Sequence, residues 1–458
     1  TGKQKNLLWT MRFYCKRVPE SLPKLLDAID WKSRNQISQL YVLLDEWAQV
    51  SLETALRLLD TKYEDSYVRQ HAVDWLNECL DDDMLSCYLL QFVQVLKTEP
   101  YLENELSRFL NNRAQKNPTI GNLYFWYLKS ECDEVNDYQN TIRFRYLLER
   151  YLKGLPEPRL TTLVRQVQGL DKLTNLAEVL RDKGKEERVK FMQAQMQRVD
   201  FLEMLENIPD PINNCRFLGR LLHDECRIMD SAKRPLWLVW SLPILPMGEH
   251  DGEVYSCNPT SEEDMLKVVS QFGTTRRSHS YSGAKDPNIN RDIKAIANSI
   301  KEEESEISSD KTSTSNSRFS TRTMTSSSDS AKGALRLREP SESGSEQTSN
   351  NKPNMATSAI IFKIGDDLRQ DMLTLQIIRI VDSIWRQEGL DMCMLAYTCL
   401  STGKNVGIIE VVNRAETITS IQKSGGRMAT IQIDSSQLHR WIKERNHDNY
   451  DEAINKFT

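Results

Sequence analysis

Two lysines in the second half of the chain stand where they could hold phosphate groups. One of them, Lys363, ends the apolar run Ala359 to Lys363, which is typical of a buried strand. An ammonium group at the end of such a strand is costly unless a carboxylate pairs with it, and Asp371 is a candidate partner. Kinases use a strand lysine of this kind to hold nucleotide phosphates. A lysine that extends from the strand end into solvent is the alternative.

The other lysine lies in a short basic segment, Met229 to Pro235. The Ser231 hydroxyl, main-chain N–H groups and the Lys233 ammonium could together grip phosphate oxygens. An ordinary basic surface turn is the alternative. Neither G-x-x-x-x-G-K-[ST] nor G-x-G-x-x-G occurs in the chain, so neither familiar glycine-rich phosphate loop applies.

A third segment, Gly407 to Val412, has the composition of an apolar strand that ends at an exposed connection. Main-chain N–H and C=O groups in such a place can bind an adenine ring. A buried strand with no ligand is the alternative. The three segments therefore suggest phosphate and nucleotide chemistry without fixing it.

The elements around these segments predict an α+β region. Leu236 to Trp240 is an apolar run between two prolines, which indicates a buried strand. Ile364 to Asp367 predicts a turn after the strand of Lys363. A helix follows, in which apolar residues recur at helical spacing and predict one buried face: Leu373, Ile377, Ile380 and Ile384.

The remainder of this region predicts a hairpin and further helices. Met394 to Leu400 and Val406 to Val412 read as strands, and Ser401 to Asn405 between them is a hairpin signal. A short helix is expected to begin within Thr417 to Gln422, and a longer one is expected over Ser435 to Lys456.

The first 150 residues predict successive helices. Apolar residues fall on one face between 65 and 80 and again between 83 and 97. Asp81 to Asp83 is expected to end one helix and begin the next, and Pro100 and Pro118 are expected in first helical turns. Helices recur every 16 to 18 residues, so a pair spans about 35 residues, which favours an α-solenoid over a compact bundle.

Composition excludes several classes of protein. The chain of 458 residues has a net charge of -5, which argues against a dedicated nucleic-acid binder, and it has no apolar run long enough to span a membrane.

Nine scattered cysteines with no C-x-x-C predict reduced, mostly buried thiols and no metal site. Between 305 and 349, 21 of 45 residues are Ser or Thr, so 245–356 is predicted to be a disordered insertion.

The order of these segments resembles one enzyme family. Phe362 to Leu373 resembles the K-x-G-D-D-L-R-Q-D signature of phosphoinositide 3-kinases. Cys226 to Leu238 resembles the phosphate loop of their class I catalytic subunits, closest to the alpha type, and Gly407 to Val412 is similar to their hinge strand. Three stretches of the first half resemble the helical domain that precedes that kinase domain: Trp31 to Arg34, Asp81 to Leu96 and Gly121 to Cys132.

The resemblance implies a multidomain α and α+β architecture. An α-solenoid helical (PIK) domain is expected over 1–153, and linker helices with the first part of a kinase N-lobe over 154–244. The insertion would cover 245–356, the rest of the N-lobe and the hinge 357–412, and the start of the C-lobe 413–458. Neither D-R-H-x-x-N nor D-F-G occurs, so the chain is expected to stop before the catalytic loop and to be inactive alone.

The resemblance also implies roles for individual residues in binding ATP. Ser231, Lys233 and Lys363 would contact the phosphates. Asp371 and Tyr397 would shape the inner pocket beside Lys363. The main chain of Glu410 and Val412 would bond the adenine. Five residues would wall the pocket: Met229, Trp237, Ile361, Ile409 and Val411.

The implied reaction is transfer of the ATP γ-phosphoryl group to the inositol 3-hydroxyl of a membrane phosphoinositide, with Mg²⁺ neutralising charge. The ligands of Mg²⁺ would lie beyond Thr458. Expected partners are a regulatory (adaptor) subunit and a Ras-type GTPase bound through upstream regions, with no nucleic acid. The expected location is cytoplasmic, with recruitment to the inner face of the plasma membrane. A non-catalytic helical scaffold with a degenerate nucleotide-binding lobe is the alternative.

Overall fold

The computed structural model describes residues 2–132, 137–214, 216–242, 356–413, 415–424 and 435–457. The predicted insertion at 245–356 lies almost wholly outside these residues. The described part begins with helices and continues into a five-stranded sheet with helices beside it, which confirms the predicted fold class. Among the described residues, no helix has the length and apolar character needed to cross a membrane.

Ten α-helices occupy the described residues up to 153. They are α1 (Gly2–Thr10), α2 (Arg12–Cys15), α3 (Leu22–Leu26), α4 (Arg34–Asp45), α5 (Leu52–Leu58), α6 (Ser66–Cys79), α7 (Asp82–Val95), α8 (Glu105–Lys116), α9 (Pro118–Cys132) and α10 (Tyr138–Lys153). The helix α5 packs on α6, α8 packs on α9, and α9 packs on α10, while α6 also packs on α8 and α7 on α9. This arrangement is the stacking that the solenoid prediction requires.

Local sequence fixes several helix ends. The Asp81 side chain accepts the Met84 N–H at 2.7 Å and caps α7, as the run of aspartates predicted. Pro118 begins α9, also as predicted. The prediction for Pro100 was wrong, because α8 begins at Glu105. Its cap is Asn104, whose side chain accepts the Ser107 N–H at 2.8 Å.

Three helices and two short strands lead from the helical part to the main sheet. They are α11 (Glu157–Asp182), α12 (Lys185–Met196), α13 (Val199–Leu205), β1 (Ile208–Pro209) and β2 (Phe217–Leu218). The main sheet then comprises β3 (Arg227–Ile228), β4 (Leu236–Ser241), β5 (Thr357–Ile364), β6 (Cys399–Gly403) and β7 (Val406–Glu410). Its strands are antiparallel, in the order β3-β4-β5-β7-β6.

The hairpin between β6 and β7 is tighter than predicted. The first strand begins at Cys399 rather than Met394, and it continues through Gly403, so the turn is Lys404 and Asn405 alone. Asn405 has a φ of 56°, which Asn tolerates better than most residues. Just before this strand, the Tyr397 carbonyl accepts a hydrogen bond from the Arg379 guanidinium at 2.9 Å.

The helix after the Lys363 strand, α14 (Arg369–Gln387), buries a different face from the predicted one. Met372, Leu375 and Gln376 are buried, whereas Leu373, Ile377 and Ile384 are 43, 51 and 51% exposed. Met372 and Leu375 pack in a cluster with Leu368, Cys399 and Leu90. Contact with the sheet and with α7 therefore selects the buried stripe.

Three short helices complete the described chain: α15 (Ile418–Ser424), α16 (Ser435–Arg445) and α17 (Tyr450–Phe457). The first confirms the helix predicted within Thr417 to Gln422. The predicted single helix over Ser435 to Lys456 is divided, because residues 446–449 form a turn between α16 and α17.

The cysteines of the described residues are all free of disulfides, but fewer are buried than predicted. Cys132, Cys226 and Cys399 are buried, whereas Cys393 is exposed on the connection after α14. The other three described cysteines are half-buried.

Candidate nucleotide-binding site

The two faces of the main sheet have different surroundings. On one face, Leu238, Ile360, Phe362 and Ile408 are buried and line a small apolar cavity with residues of α11, among them Leu170. Side chains alternate between faces along a strand, so the residues between these point to the opposite face. That opposite face carries four of the predicted site residues: Trp237, Ile361, Lys363 and Ile409.

Three of the predicted wall residues form a row across the sheet. Trp237 is paired with Ile361 in the register of β4 and β5, and Ile361 is paired with Ile409 in the register of β5 and β7. All three side chains are half-buried. The row therefore offers a continuous apolar surface, three strands wide, of a kind that can pack against a planar ring.

Lys363 lies two residues beyond Ile361 on the same strand and therefore on the same face. Its ammonium is 2.6 Å from Asp366 Oδ2. The turn between them is closed at Gly365, which has a φ of +86° and donates its N–H to the Asn405 carbonyl at 2.7 Å. Lys363 thus pairs with Asp366, not with Asp371 as the sequence suggested.

The second predicted phosphate ligand reaches the same carboxylate. The Lys233 ammonium lies 3.4 Å from Asp366 Oδ1 and donates to the Gly365 carbonyl at 2.8 Å. The hydrogen bond from Lys363, followed by that from Lys233, holds the pKa of Asp366 below its ordinary value, against the opposing effect of burial. Residues 233 and 363, far apart in sequence, therefore converge at one point.

The segment that carries Lys233 is a compact turn. The Met229 N–H donates to the Pro235 carbonyl at 2.8 Å, and the Ser231 N–H donates to the Met229 carbonyl at 3.0 Å. Arg234 has a φ of 53°, and its guanidinium donates to the Arg181 carbonyl at the end of α11 at 2.9 Å. Met229 is half-buried and Ser231 is exposed, so the hydroxyl is accessible at the open side of the turn.

Asp371 and Tyr397 lie beside the buried cluster of α14 and β6. Asp371 is exposed in the first turn of α14, and Tyr397 packs against the cluster that contains Met372 and Cys399. Burial, with a further contribution from the Asp371 charge, raises the pKa of the Cys399 thiol to about 12. The Lys363 ammonium acts on the same thiol in the opposite direction, so both charges lie near β6.

The predicted hinge follows β7. The Glu410 N–H donates to the Thr398 carbonyl at 2.8 Å, while the Thr398 N–H donates to the Glu410 carboxylate at 2.8 Å. In a regular antiparallel ladder the Thr398 N–H would donate to the Glu410 carbonyl. Here it donates to the Glu410 side chain instead. Val411 and Val412 are half-buried beyond the strand, and within the described residues no acceptor is seen for the Val412 N–H.

The site thus combines an apolar row, two convergent ammonium groups and main-chain groups at a strand end, a donor set that fits a nucleoside triphosphate. Within the described ranges no group of three or more His, Cys, Asp or Glu side chains could hold a metal ion.

Comparison with known proteins agrees with this architecture at both ends of the chain. Residues 1–163 match the family described as "Phosphoinositide 3-kinase family, accessory domain (PIK domain)", and residues 357–458 match "Phosphatidylinositol 3- and 4-kinase". The first segment is therefore similar to an accessory domain of phosphoinositide 3-kinases, and the second is similar to a lipid kinase domain.

Two curated proteins align with nearly the whole chain. Phosphatidylinositol 3-kinase 1 of Dictyostelium discoideum is 29% identical over 455 residues, which cover 99% of this chain and 22% of that protein. Phosphatidylinositol 3-kinase 2 of the same organism is 27% identical over 464 residues, which cover 100% of this chain and 18% of that protein. The chain spans about a fifth of the length of these relatives.

Sequence reasoning missed two residues that contact the candidate site or the segment beside it. Asp366 is one, although its spacing of three residues from Lys363 across a turn could have indicated the pair. The other is Glu131 of α9, which contacts Arg369 in the signature segment at 3.3 Å. No local pattern signals that contact, because 238 positions separate the two residues.

Proposed function

We propose that this chain provides the helical domain and the nucleotide-binding lobe of an ATP-dependent phosphatidylinositol 3-kinase. The observation that carries the proposal is the convergence of Lys363 and Lys233 on Asp366, next to the row of Trp237, Ile361 and Ile409. The relatives named phosphatidylinositol 3-kinase support the choice of reaction.

The arrangement suggests how ATP would lie. The adenine would pack on the apolar row and bond the main chain of Glu410 and Val412. Its triphosphate would extend along the same face to Lys363 and Lys233. Charge-assisted hydrogen bonds from ammonium to phosphate are among the strong ones, so this end would supply much of the affinity.

Asp366 would compete with the phosphates for the two lysines. In the absence of nucleotide, its carboxylate pairs with both ammonium groups and offsets one of their two positive charges. Phosphate oxygens would take over these contacts, and Asp366 would then lie beside the triphosphate. The pair therefore keeps the lysines in place before ATP arrives, which lowers the ordering cost of binding.

The proposed reaction is transfer of the γ-phosphoryl group to the 3-hydroxyl of a phosphoinositide headgroup. Mg²⁺ would neutralise charge on the phosphates, as in other kinases. Lys363 and Lys233 would orient the triphosphate, and the apolar row would exclude water from the adenine. These roles are positioning and electrostatic stabilisation, the main means of catalysis in phosphoryl transfer.

The proposal can be tested by binding of a fluorescent ATP analogue, 2′/3′-N-methylanthraniloyl-ATP, to the 458-residue chain. We expect Lys363→Ala to weaken binding more than about tenfold, because a charge-assisted contact is worth about 1.5–3 kcal/mol. Lys404→Ala is the matched control, since Lys404 is an exposed lysine of the same sheet at the hairpin turn. Unchanged melting of both variants would establish that the fold persists.

Binding by Lys363→Ala within twofold of the parent would refute the placement of the site. A parallel assay of phosphoinositide phosphorylation by the 458-residue chain should detect none, because the sequence contains neither D-R-H-x-x-N nor D-F-G. Turnover above that of Lys363→Ala would contradict this expectation. Failure of the parent chain to bind the analogue would favour the scaffold alternative.

A further inference from the structure

A buried carboxylate of the helical domain reaches the signature segment of the kinase lobe. Glu131, in the last turn of α9, is 3% exposed. It accepts hydrogen bonds from the Gln94 amide at 2.8 Å and the Arg369 guanidinium at 3.3 Å, and the Lys97 ammonium lies 2.8 Å away. A buried charge is tolerated only when it is paired and hydrogen-bonded, so these three donors stabilise Glu131 together.

Arg369 continues the connection into the turn after β5. Its guanidinium bonds both carboxylate oxygens of Asp367, Nε to Oδ1 at 2.9 Å and Nη2 to Oδ2 at 2.8 Å. The Arg369 N–H also donates to Asp367 Oδ1 at 3.0 Å. A bidentate pair of this kind fixes orientation as well as distance. Arg369 therefore bridges a carboxylate of the helical domain and a carboxylate of the kinase lobe.

Asp367 directly follows Asp366, on which Lys363 and Lys233 converge. The two aspartates follow Gly365 in the same turn, and the Gly365 N–H fastens the start of that turn to the Asn405 carbonyl. A shift of Asp367 would therefore move Asp366 and with it both ammonium groups.

The two domains also contact each other on either side of the Glu131–Arg369–Asp367 contacts. The Lys129 ammonium of α9 donates to the Thr402 carbonyl of β6 at 3.0 Å. The Gln376 side chain of α14 donates to the Cys87 carbonyl of α7. These contacts hold the kinase sheet against α7 and α9. The position of Glu131 relative to the sheet is therefore fixed.

We propose that Glu131 is a positioning residue of the helical domain. Through Arg369 and Asp367, it fixes the turn that holds the two phosphate-binding lysines, and the helical domain thereby sets nucleotide affinity. The role in affinity rests on the proposed function, whereas the fixing of the turn does not.

The turn can be examined without nucleotide by hydrogen exchange, followed by mass spectrometry, of a peptide that covers residues 364–369. We expect Glu131→Gln to speed exchange there about fivefold, the lower end of measured couplings between sites. Glu99→Gln is the matched control. Glu99 is 4% exposed and bonds the Arg69 guanidinium within the helical domain, away from the sheet.

The control should leave exchange at 364–369 unchanged and speed exchange in α6. No change at 364–369 in Glu131→Gln would overturn the proposal. An equal change in both variants would do the same, because general destabilisation of the helical domain would then explain it. If Glu131→Gln does not fold, Arg369→Gln interrupts the same connection from the kinase side and should give the same local change.

Affinity for the fluorescent ATP analogue tests the second part. Glu131→Gln and Arg369→Gln should each weaken binding about fivefold, and the double variant should be no weaker than either single variant. Additive losses would show that Glu131 does not act through Arg369. If Lys363→Ala binds as well as the parent, the proposed function fails, while the exchange experiment still decides whether Glu131 fixes the turn.

Discussion

The Lys363 ammonium lies 2.6 Å from the carboxylate of Asp366, three residues along the chain. The two side chains are 26 and 33% exposed, so water screens the pair only in part. Because Lys233 approaches the other oxygen of the same carboxylate, Asp366 holds two positive charges that the sequence places 130 positions apart. One carboxylate therefore holds both lysine side chains together.

The Asp366 ion pair should make stability depend on pH. The pKa of Asp366 is lower in the folded chain, chiefly because of the hydrogen bond from Lys363. The ion pair's contribution to the free energy of unfolding is thus fully present above the unfolded pKa of about 3.9. It is lost as the pH falls through the lower pKa of the folded chain. We expect Asp366→Asn to lower the melting temperature by a constant amount above about pH 5, and the difference to disappear near about pH 2 to 3.

Asp448→Asn is the control for this measurement, since Asp448 is exposed in the turn between α16 and α17. A difference for Asp366→Asn that grows toward low pH would contradict the assignment of the ion pair.

The buried stripe of α14 can be tested by truncation of neighbouring leucines. Leu375 is 6% exposed and packs toward β6, whereas Leu373 is 43% exposed. Leu375→Ala should cost about 2–4 kcal/mol in the free energy of unfolding, and Leu373→Ala less than about 1 kcal/mol. Urea denaturation measures both. Equal costs would mean that Leu373 is covered by another element and that the exposed stripe is not free.

Gly407 should tolerate no side chain. A Cβ atom there would lie 2.5 Å from the Leu400 carbonyl oxygen and 2.6 Å from Leu368 Cδ1. Because the carbonyl belongs to the neighbouring strand, the sheet would have to shift, and we expect Gly407→Ala to cost about 1–3 kcal/mol. The matched variant is Gly365→Ala, which meets no atom closer than 3.5 Å.

The cost of Gly365→Ala should come from its φ of +86° alone, about 1–2 kcal/mol. Thermal unfolding compares the two variants, and exchange in β6 should rise only in Gly407→Ala. Normal exchange in β6 with Gly407→Ala would show that the close approach is relieved elsewhere.

The buried pair of Arg69 and Glu99 should stabilise the helical domain only while both side chains are present. Their side chains are 6 and 3% exposed, and Arg69 also donates to the main-chain carbonyls of Leu59, Asp60 and Tyr63. Glu99→Ala leaves a buried guanidinium without its counter-charge and should cost about 3–5 kcal/mol. The double variant Arg69→Met with Glu99→Leu should cost less, as measured by urea denaturation. A larger cost for the double variant would show that the carbonyl contacts of Arg69 carry the effect.

The sequence by itself determined several elements and singled out the two lysines of the candidate site. The cap at Asp81, the first turn at Pro118 and the apolar runs of β4 and β5 are local signals, because each depends on residues within one turn or one strand. Strand alternation also placed Ile361 and Lys363 on one face, since the period of two holds whatever packs against the sheet.

Tertiary structure decided which of the available partners each residue took. The helix α14 carries apolar residues on two stripes, so periodicity could not choose between Leu375 and Leu373, and packing on β6 and α7 made the choice. Lys363 had carboxylates at both 366 and 371, and the turn at Gly365 brought the nearer one to it. Glu131 met Arg369 only because α9 packs on β6, and contacts between residues so distant along the chain leave no local pattern in the sequence.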